Sequence, residues 1–223
     1  MFKYFENLVD PYAPFAETNT PPTRLWPFMR EYAKPFKTVF ILAGILSIVI
    51  AAIEIGLIYY MGRVVDLLQG TPSEVWAAHK VELIAVAIFI LTLRPLIQLL
   101  DVMLLNNTII VNFGTLIRWR SHKHVLRQSV GWFENDFAGR IANRIMQTPP
   151  AAGEVVFQVF DAISYSLAYM VGAAILLSTS DPRLLLPLLI WMVLYGLLIN
   201  WTTRRVGPAS KAASDARSAV TGR

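Results

Sequence analysis

Four stretches of the 223-residue chain are long and apolar enough to cross a membrane. A transmembrane helix needs about 20 mostly apolar residues, because the hydrocarbon core is about 30 Å thick and a helix rises about 1.5 Å per residue. The sequence predicts spans at about 38–62, 83–107, 155–180 and 184–203. Runs of this length leave a helix no polar face to present to water. We therefore predict an all-α membrane protein.

The composition agrees with this prediction and excludes several other classes of protein. The chain is 55% hydrophobic and only 16% charged, whereas soluble domains have about 25% charged residues. It has no cysteine, which excludes a disulfide scaffold and a cysteine-ligated metal site. The three histidines have no other ligand side chains grouped with them, so we predict no metal site. We also predict no catalytic residue, because no nucleophile is paired with a base.

The positive charges are concentrated in three segments of the chain. Residues 1–37 and 204–223 each carry five Lys or Arg, and residues 118–153 carry six. The positive-inside rule places these segments in the cytoplasm and the short connections between them outside. The net charge of +5 therefore reflects the topology. We predict no nucleic-acid partner, because nucleic-acid binding requires the charge on one soluble face.

Residues 1–37 form the first predicted unit, a cytoplasmic N-terminal lead. The segment contains charges and several prolines and lacks the apolar stretch of a signal peptide. We expect a loose lead that is followed by a short amphipathic helix around residues 25–35, lying in the membrane interface. Arg30 and Lys34 of this helix would face lipid headgroups. Residues 38–223 form the second predicted unit, the membrane domain.

The second apolar stretch continues as a helix far beyond the membrane. Apart from Gly114, no helix-breaking residue occurs before Gly131, so the helix projects about 35–40 Å past the hydrocarbon at about 1.5 Å per residue. After a turn at residues 129–139, a second helix returns to the membrane near residue 155, which makes residues 118–153 a cytoplasmic loop. Exposed aromatic side chains favour a docking tip over a simple connector; those at the turn are Trp132, Phe133 and Phe137.

Three segments of the chain resemble the membrane domain of ABC exporters of the half-transporter type, the group of lipid A and multidrug exporters. Residues 127–144 (RQSVGWFENDFAGRIANR) are similar to the first intracellular loop of that family. Residues 62–66 (GRVVD) are similar to its Gly-[Arg/Lys]-aliphatic-aliphatic-Asp pattern at the outer end of the first span. Residues 27–35 (PFMREYAKP) resemble its interfacial elbow helix. The resemblance covers about residues 24–223.

This resemblance implies a membrane domain of six spans, four of which this chain supplies, with long cytoplasmic extensions. It further implies a cytoplasmic domain that binds ATP and Mg²⁺, and a homodimer of half-transporters. The chain itself contains no Gly-x-x-x-x-Gly-Lys-[Ser/Thr] phosphate-binding loop. We therefore expect the N-terminal part of a longer ATPase transporter, without a cofactor of its own. In the family's first coupling helix, the residues that contact the nucleotide-binding domain would be Trp132, Phe133, Glu134, Asn135, Asp136, Phe137 and Gly139.

The resemblance also implies a location and a substrate class. The location would be a bacterial inner membrane, with lipid around the spans and both ends of the chain in the cytoplasm. The substrate would be a lipid or a drug-like molecule, and the sequence does not choose between them.

Polar side chains interrupt three of the predicted spans, at a cost of about 3 kcal/mol for each charge near the bilayer centre. In the second span Arg94, Gln98, Asp101, Thr108 and Asn112 fall on one face of a straight helix. One hypothesis is that polar side chains line the translocation path. The other is that they pair between helices, for instance Arg94 with Glu54 or Asp161, and only hold the bundle together. The candidates for the path are Glu54, Arg94, Gln98, Asp101 and Asp161.

A second class of function also fits the sequence. The chain could be a self-contained four-span structural or assembly protein whose aromatic tip recruits a cytoplasmic partner. The two hypotheses differ in the packing they predict. A partial exporter domain predicts a fourth helix with an uncovered apolar face, whereas a self-contained protein predicts a closed four-helix bundle.

Overall fold

The computed structural model describes residues 2–15, 22, 24–134 and 138–221, and within these ranges the regular secondary structure is entirely helical. The α-helices are α1 (Phe2–Glu6), α2 (Leu25–Ala33), α3 (Lys37–Leu67), α4 (Pro72–Ile88), α5 (Arg94–Met103), α6 (Val111–Leu126), α7 (Val130–Glu134), α8 (Ala138–Gln158), α9 (Tyr165–Ser180) and α10 (Leu185–Thr221). Three π-helical segments continue these helices without a break, at Phe89–Leu93, Leu104–Ile110 and Val159–Ser164. Short 3₁₀ turns, Lys34–Phe36 and Pro182–Leu184, precede α3 and α10.

These elements join into four long helices that are apolar enough to cross a membrane. We call them the first to the fourth long helix: Leu25–Leu67, Pro72–Leu126, Ile141–Ser180 and Pro182–Ser214. The second, at 55 residues, is far longer than the roughly 20 residues that a bilayer requires. The prediction of an all-α membrane fold with four spans and long extensions is confirmed.

The buried core lies where the first three long helices meet. Phe36 and Phe113 are fully buried, with ring centroids 5.4 Å apart in an edge-to-face arrangement. Phe40 stacks on Phe160 of the third long helix at 5.0 Å. Aromatic pairs at these distances add about 0.5–1.5 kcal/mol each to the burial of their surface. The cluster fixes how the three helices cross.

The first two long helices are also joined beside the short connection between them. Arg63, in the GRVVD segment, donates to both carboxylate oxygens of Glu82, with an Nη2–Oε2 distance of 3.0 Å. His79 Nδ1 lies 3.2 Å from the same carboxylate. The ion pair closes the connection between α3 and α4.

The N-terminal strap (residues 2–15) packs against the second long helix. Thr108 Oγ1 donates to the carbonyl of Phe5 at 2.7 Å. The Asn112 side-chain amide donates to two further carbonyls of the strap, at 2.7 and 3.1 Å. Carbonyls at the end of a short helix have no partner within the helix, so donors from a neighbouring element hold the segment in place. The expectation of a loose lead is wrong for these residues.

The fourth long helix contacts its neighbours only weakly and leaves its apolar side chains exposed. Trp191, Leu197 and Trp201 are all about half exposed, and every residue from Leu189 to Ser210 is exposed. The described residues do not form a closed four-helix bundle. This is the packing that a partial exporter domain predicts.

Candidate functional site

Glu54 and Arg94 form an ion pair between the first and second long helices. Arg94 Nη2 and Nε lie 2.7 and 3.1 Å from Glu54 Oε1. Opposite charges that neutralise each other lower the cost of carrying either one into hydrocarbon. This is one of the pairings that the sequence suggested.

A π-helical segment sets the position of Arg94. Arg94 is followed by Pro95, which has no N–H and whose ring would clash with the carbonyl four residues earlier in a regular α-helix. The helix is wider just before Pro95, since the Arg94 N–H donates to the carbonyl of Phe89, five residues back. π-bulges of this kind are frequent at functional sites. Here the bulge places Arg94 opposite Glu54.

The third long helix contributes an aromatic pair to the same place. Tyr165 begins α9 and interacts electrostatically with both Glu54 and Arg94. It also stacks on Tyr169, with ring centroids 5.9 Å apart. Side chains of three long helices thus lie within electrostatic range of one another here. Tyr169 was not among the predicted site residues, although the spacing of four residues is the one that brings two side chains together on a helix.

Two further carboxylates of the spans interact electrostatically. Asp101 is only 8% exposed, and its Oδ1 has no hydrogen-bond partner within the described parts of the chain. Asp161 lies in the π-helical segment Val159–Ser164, is exposed, and repels Asp101 electrostatically. The two predicted residues are thus within electrostatic range of each other, without a direct contact.

The polar face predicted for the second long helix is divided. Gln98 is exposed, whereas Thr108 and Asn112 are buried against the strap. The segment Leu104–Ile110 is π-helical. A π-helical turn contains more residues than an α-helical turn, so the side chains after it point in other directions than a regular α-helix would give them. Thr108 and Asn112 therefore do not continue the face of Arg94 and Asp101, as a straight helix would require.

α3 and α9 pack closely through small residues. Ser47 Oγ shares its proton between two carbonyls, that of Ala43 in its own helix at 2.9 Å and that of Phe160 in the third long helix at 3.0 Å. A Cβ built on Gly172 would lie 2.1 Å from the Cδ1 atom of Ile55, so only glycine fits without a shift of the isoleucine. Close approach of backbones through small residues is the usual way in which membrane helices associate.

An open apolar groove of about 870 Å³ runs between α3 and α9. This volume falls within the range of about 300–1,000 Å³ that is typical of small-molecule sites. No pattern in the sequence predicted the groove. Its walls are formed mainly by small and aliphatic side chains, among them Gly44, Ile48, Ala52, Leu167 and Val171.

The turn between the second and third long helices, which we call the tip, carries an exposed aromatic pair. Trp132 and Phe133 lie on the short helix α7 and are 36% and 40% exposed, with their rings perpendicular at 5.1 Å. Glu134 ends α7 and Gly139 lies in the first turn of α8. The remaining predicted contact residues lie outside the described residues; they are Asn135, Asp136 and Phe137. In the ranges that the structure describes, no group of three or more His, Asp or Glu could hold a metal ion.

Residues 40–223 match the family described as the ABC transporter transmembrane region. The chain belongs to this family. Over its whole length it is also similar, at 30% identity, to a protein of Haemophilus influenzae named "Uncharacterized ABC transporter ATP-binding protein". The chain spans 36% of that relative's length. No solved structure matches the chain.

The family establishes the general role of the chain. It is an integral membrane protein and provides a permease segment of an ABC transporter. The resemblance seen in the sequence is confirmed, and the alternative of a self-contained structural protein is not favoured. The part of each polar residue in transport stays a prediction.

Proposed function

We propose that this permease segment belongs to an ATP-driven exporter and that its aromatic tip docks on a nucleotide-binding domain. The observation that carries the proposal is the exposed pair Trp132 and Phe133 on α7, which follows a 55-residue helix that is far longer than a bilayer requires. The relative from Haemophilus influenzae is named as an ATP-binding protein, which supports such a partner. ATP and Mg²⁺ bind to that domain and not to the residues of this chain.

The second long helix is suited to transmit a movement of the docked domain. From Arg94 to Leu126 it is continuous, and at about 1.5 Å per residue this length corresponds to about 50 Å. One end holds the ion pair with Glu54, and the other end leads into the tip. A displacement of the tip therefore moves the intramembrane charges as part of the same body.

We place the translocation path at the intramembrane polar residues. The ion pair supplies both signs of charge, and the nearby groove between α3 and α9 supplies an apolar wall. A lipid or drug-like substrate with one polar end fits this combination. The five residues of the proposed path are Glu54, Arg94, Gln98, Asp101 and Asp161.

The proposed assembly is a homodimer in a bacterial inner membrane, with both ends of the chain in the cytoplasm. The uncovered apolar side chains of α10 support a second subunit, because a membrane helix that leaves its small and aromatic residues unpacked gains contacts by association. The distribution of Lys and Arg supports the orientation.

The docking role is tested in the intact transporter with the double substitution Trp132→Ala/Phe133→Ala. Truncating an aromatic hot spot costs about 2 kcal/mol or more, so substrate-stimulated ATPase activity and transport should both fall at least about tenfold. Leu126→Ala removes another exposed apolar side chain, before the turn, and serves as the control. Unchanged transport in the double variant would contradict the docking role.

The path is tested by neutralising its charges one at a time. Glu54→Gln, Asp101→Asn and Asp161→Asn should change the relative transport of cationic and neutral substrates while the protein is still expressed. Glu154→Gln changes an exposed carboxylate on α8, outside the proposed path, and is the matched control. Loss of expression in all three variants would assign these residues to packing alone.

A further inference from the structure

A second groove lies between α2 and the third long helix and has a volume of about 950 Å³. The third long helix contributes an apolar wall through Val155, Val159 and Phe160, where α8 passes into its π-helical segment. On the opposite side Trp26 of α2 lines the groove and is 83% exposed. The groove is therefore apolar along its length and open at its side.

Two basic side chains stand at the edge of this groove. Arg30 and Lys34 both line it and both are exposed. They are four residues apart, which places them on the same side of the helix. Glu31 lines the groove as well, so the rim has one net positive charge. A guanidinium and an ammonium group together are suited to a phosphate group, the first through paired hydrogen bonds and the second as a point charge.

α2 is held firmly enough to keep these charges in place. Tyr32 points away from the groove into the core, where it is buried, and Phe28 stacks on it at 4.3 Å. The Arg120 guanidinium lies over the Tyr32 ring at 5.2 Å. α2 is thus anchored on one face and presents Arg30 and Lys34 on another.

The level of the groove in the membrane follows from its neighbours. α2 leads into the first span through a 3₁₀ turn. Val155 is at the start of the third predicted span, the end that the distribution of Lys and Arg assigns to the cytoplasm. An exposed tryptophan is typical of the layer between headgroups and acyl chains. The occupant must therefore meet a positively charged rim at the headgroup level and an apolar wall directly below it.

We propose that this groove binds one anionic phospholipid of the cytoplasmic leaflet. Its phosphate contacts Arg30 and Lys34, and one acyl chain lies along Val155 and Val159. The bound lipid joins α2 to the third long helix. The choice of leaflet rests on the proposed orientation of the chain. The binding of the lipid does not rest on the proposed transport function, because it requires neither nucleotide nor substrate.

The test uses fluorescence quenching of Trp26 by brominated lipids, with the intact protein in vesicles and Trp26 as the single tryptophan. Brominated phosphatidylglycerol is compared with brominated phosphatidylcholine at equal mole fractions in a phosphatidylcholine background. One net positive charge near the surface predicts half-maximal quenching at an about fivefold lower mole fraction of the anionic lipid. If the single-tryptophan variant does not fold, the difference in quenching between the wild type and Trp26→Phe gives the same measurement.

The charge requirement is tested with Arg30→Gln/Lys34→Gln. This variant should lose the preference for the anionic lipid while phosphatidylcholine still quenches Trp26. Arg24→Gln/Lys37→Gln has the same change of charge on residues that do not line the groove, and it should keep the preference. Equal quenching by the two lipids in the wild type overturns the proposal, as does a preference that survives in Arg30→Gln/Lys34→Gln. Absence of quenching by either lipid would show that protein covers the groove and would also overturn it.

Discussion

The N-terminal strap is held to the second long helix by hydrogen bonds whose removal has a calculable effect. Asn112→Ala deletes the two bonds from its side-chain amide to the carbonyls of Glu6 and Val9, at 2.7 and 3.1 Å. Each such bond contributes about 1 kcal/mol net. The free energy for opening the strap should therefore fall by about 2 kcal/mol, which corresponds to an about 30-fold larger opening constant.

Hydrogen exchange at the backbone amides of Asn7 and Leu8 measures this opening. These amides donate within the strap, to the carbonyls of Lys3 and Phe5. When closing is faster than chemical exchange, the exchange rate rises in proportion to the opening constant. We therefore expect an about 30-fold faster exchange in Asn112→Ala, with the rates of the buried core of the first three long helices unchanged.

Asn106→Ala provides the matched control for this experiment. Asn106 lies on the same long helix, but its amide donates to the carbonyl of Val102, one turn back in that helix, at 2.9 Å. Its loss should leave the strap unaffected. Acceleration of exchange in the strap by less than about threefold in Asn112→Ala, or equal acceleration in Asn106→Ala, would show that these two hydrogen bonds do not hold the strap.

Three further predictions concern the packing of the long helices, and each is measured as thermal unfolding of the intact protein in detergent. Glu54→Ala and Arg94→Ala should each destabilise the protein, because each leaves a charge without its partner. The double variant should lose about 1–2 kcal/mol less free energy of unfolding than the two single variants added together, whereas additive losses would contradict the pairing. Ser47→Ala removes the hydrogen bond to the third long helix and should lower Tm by about 2–4 °C, and no change would show that the bond contributes nothing. Gly172→Val should lower the free energy of unfolding by about 1–3 kcal/mol, because the new side chain would collide with Ile55. Gly62→Val should lower it less, since an added Cβ there meets nothing within 4 Å.

The spans and the tip could be predicted because the physical signals for them are local. A run of apolar residues crosses a membrane wherever it occurs, and the exposed pair Trp132–Phe133 follows directly from aromatic residues at a turn. The pairing of Arg94 with Glu54 was one of a few options, since a charge in hydrocarbon needs an opposite charge and few are available. Which carboxylate Arg94 pairs with depends on where the π-helical segment before Pro95 lies, and no sequence pattern gave that position.

Other parts of the site depend on contacts between distant segments and could not be predicted. The widened segment Leu104–Ile110 contains no proline, so the sequence has no local signal that Thr108 and Asn112 rotate out of line with Asp101. Their partners are backbone carbonyls of the strap, about a hundred positions earlier in the chain. A carbonyl is present at every residue, so no side-chain pattern marks those that will accept a bond.

The sequence by itself determined the class of the protein, the number of its spans and its membership of a transporter family. Apolar runs and short motifs consist of residues that are neighbours in the chain, so they can be recognised without knowing how distant segments pack. The tertiary structure decided which polar groups meet: Glu54 with Arg94, and Asn112 with the strap. It also decided that two grooves remain open beside the third long helix. The physical reason is that each π-helical turn changes the direction in which all later side chains of a long helix point. These rotations add up along the helix, and packing against neighbouring helices decides where the wide turns form.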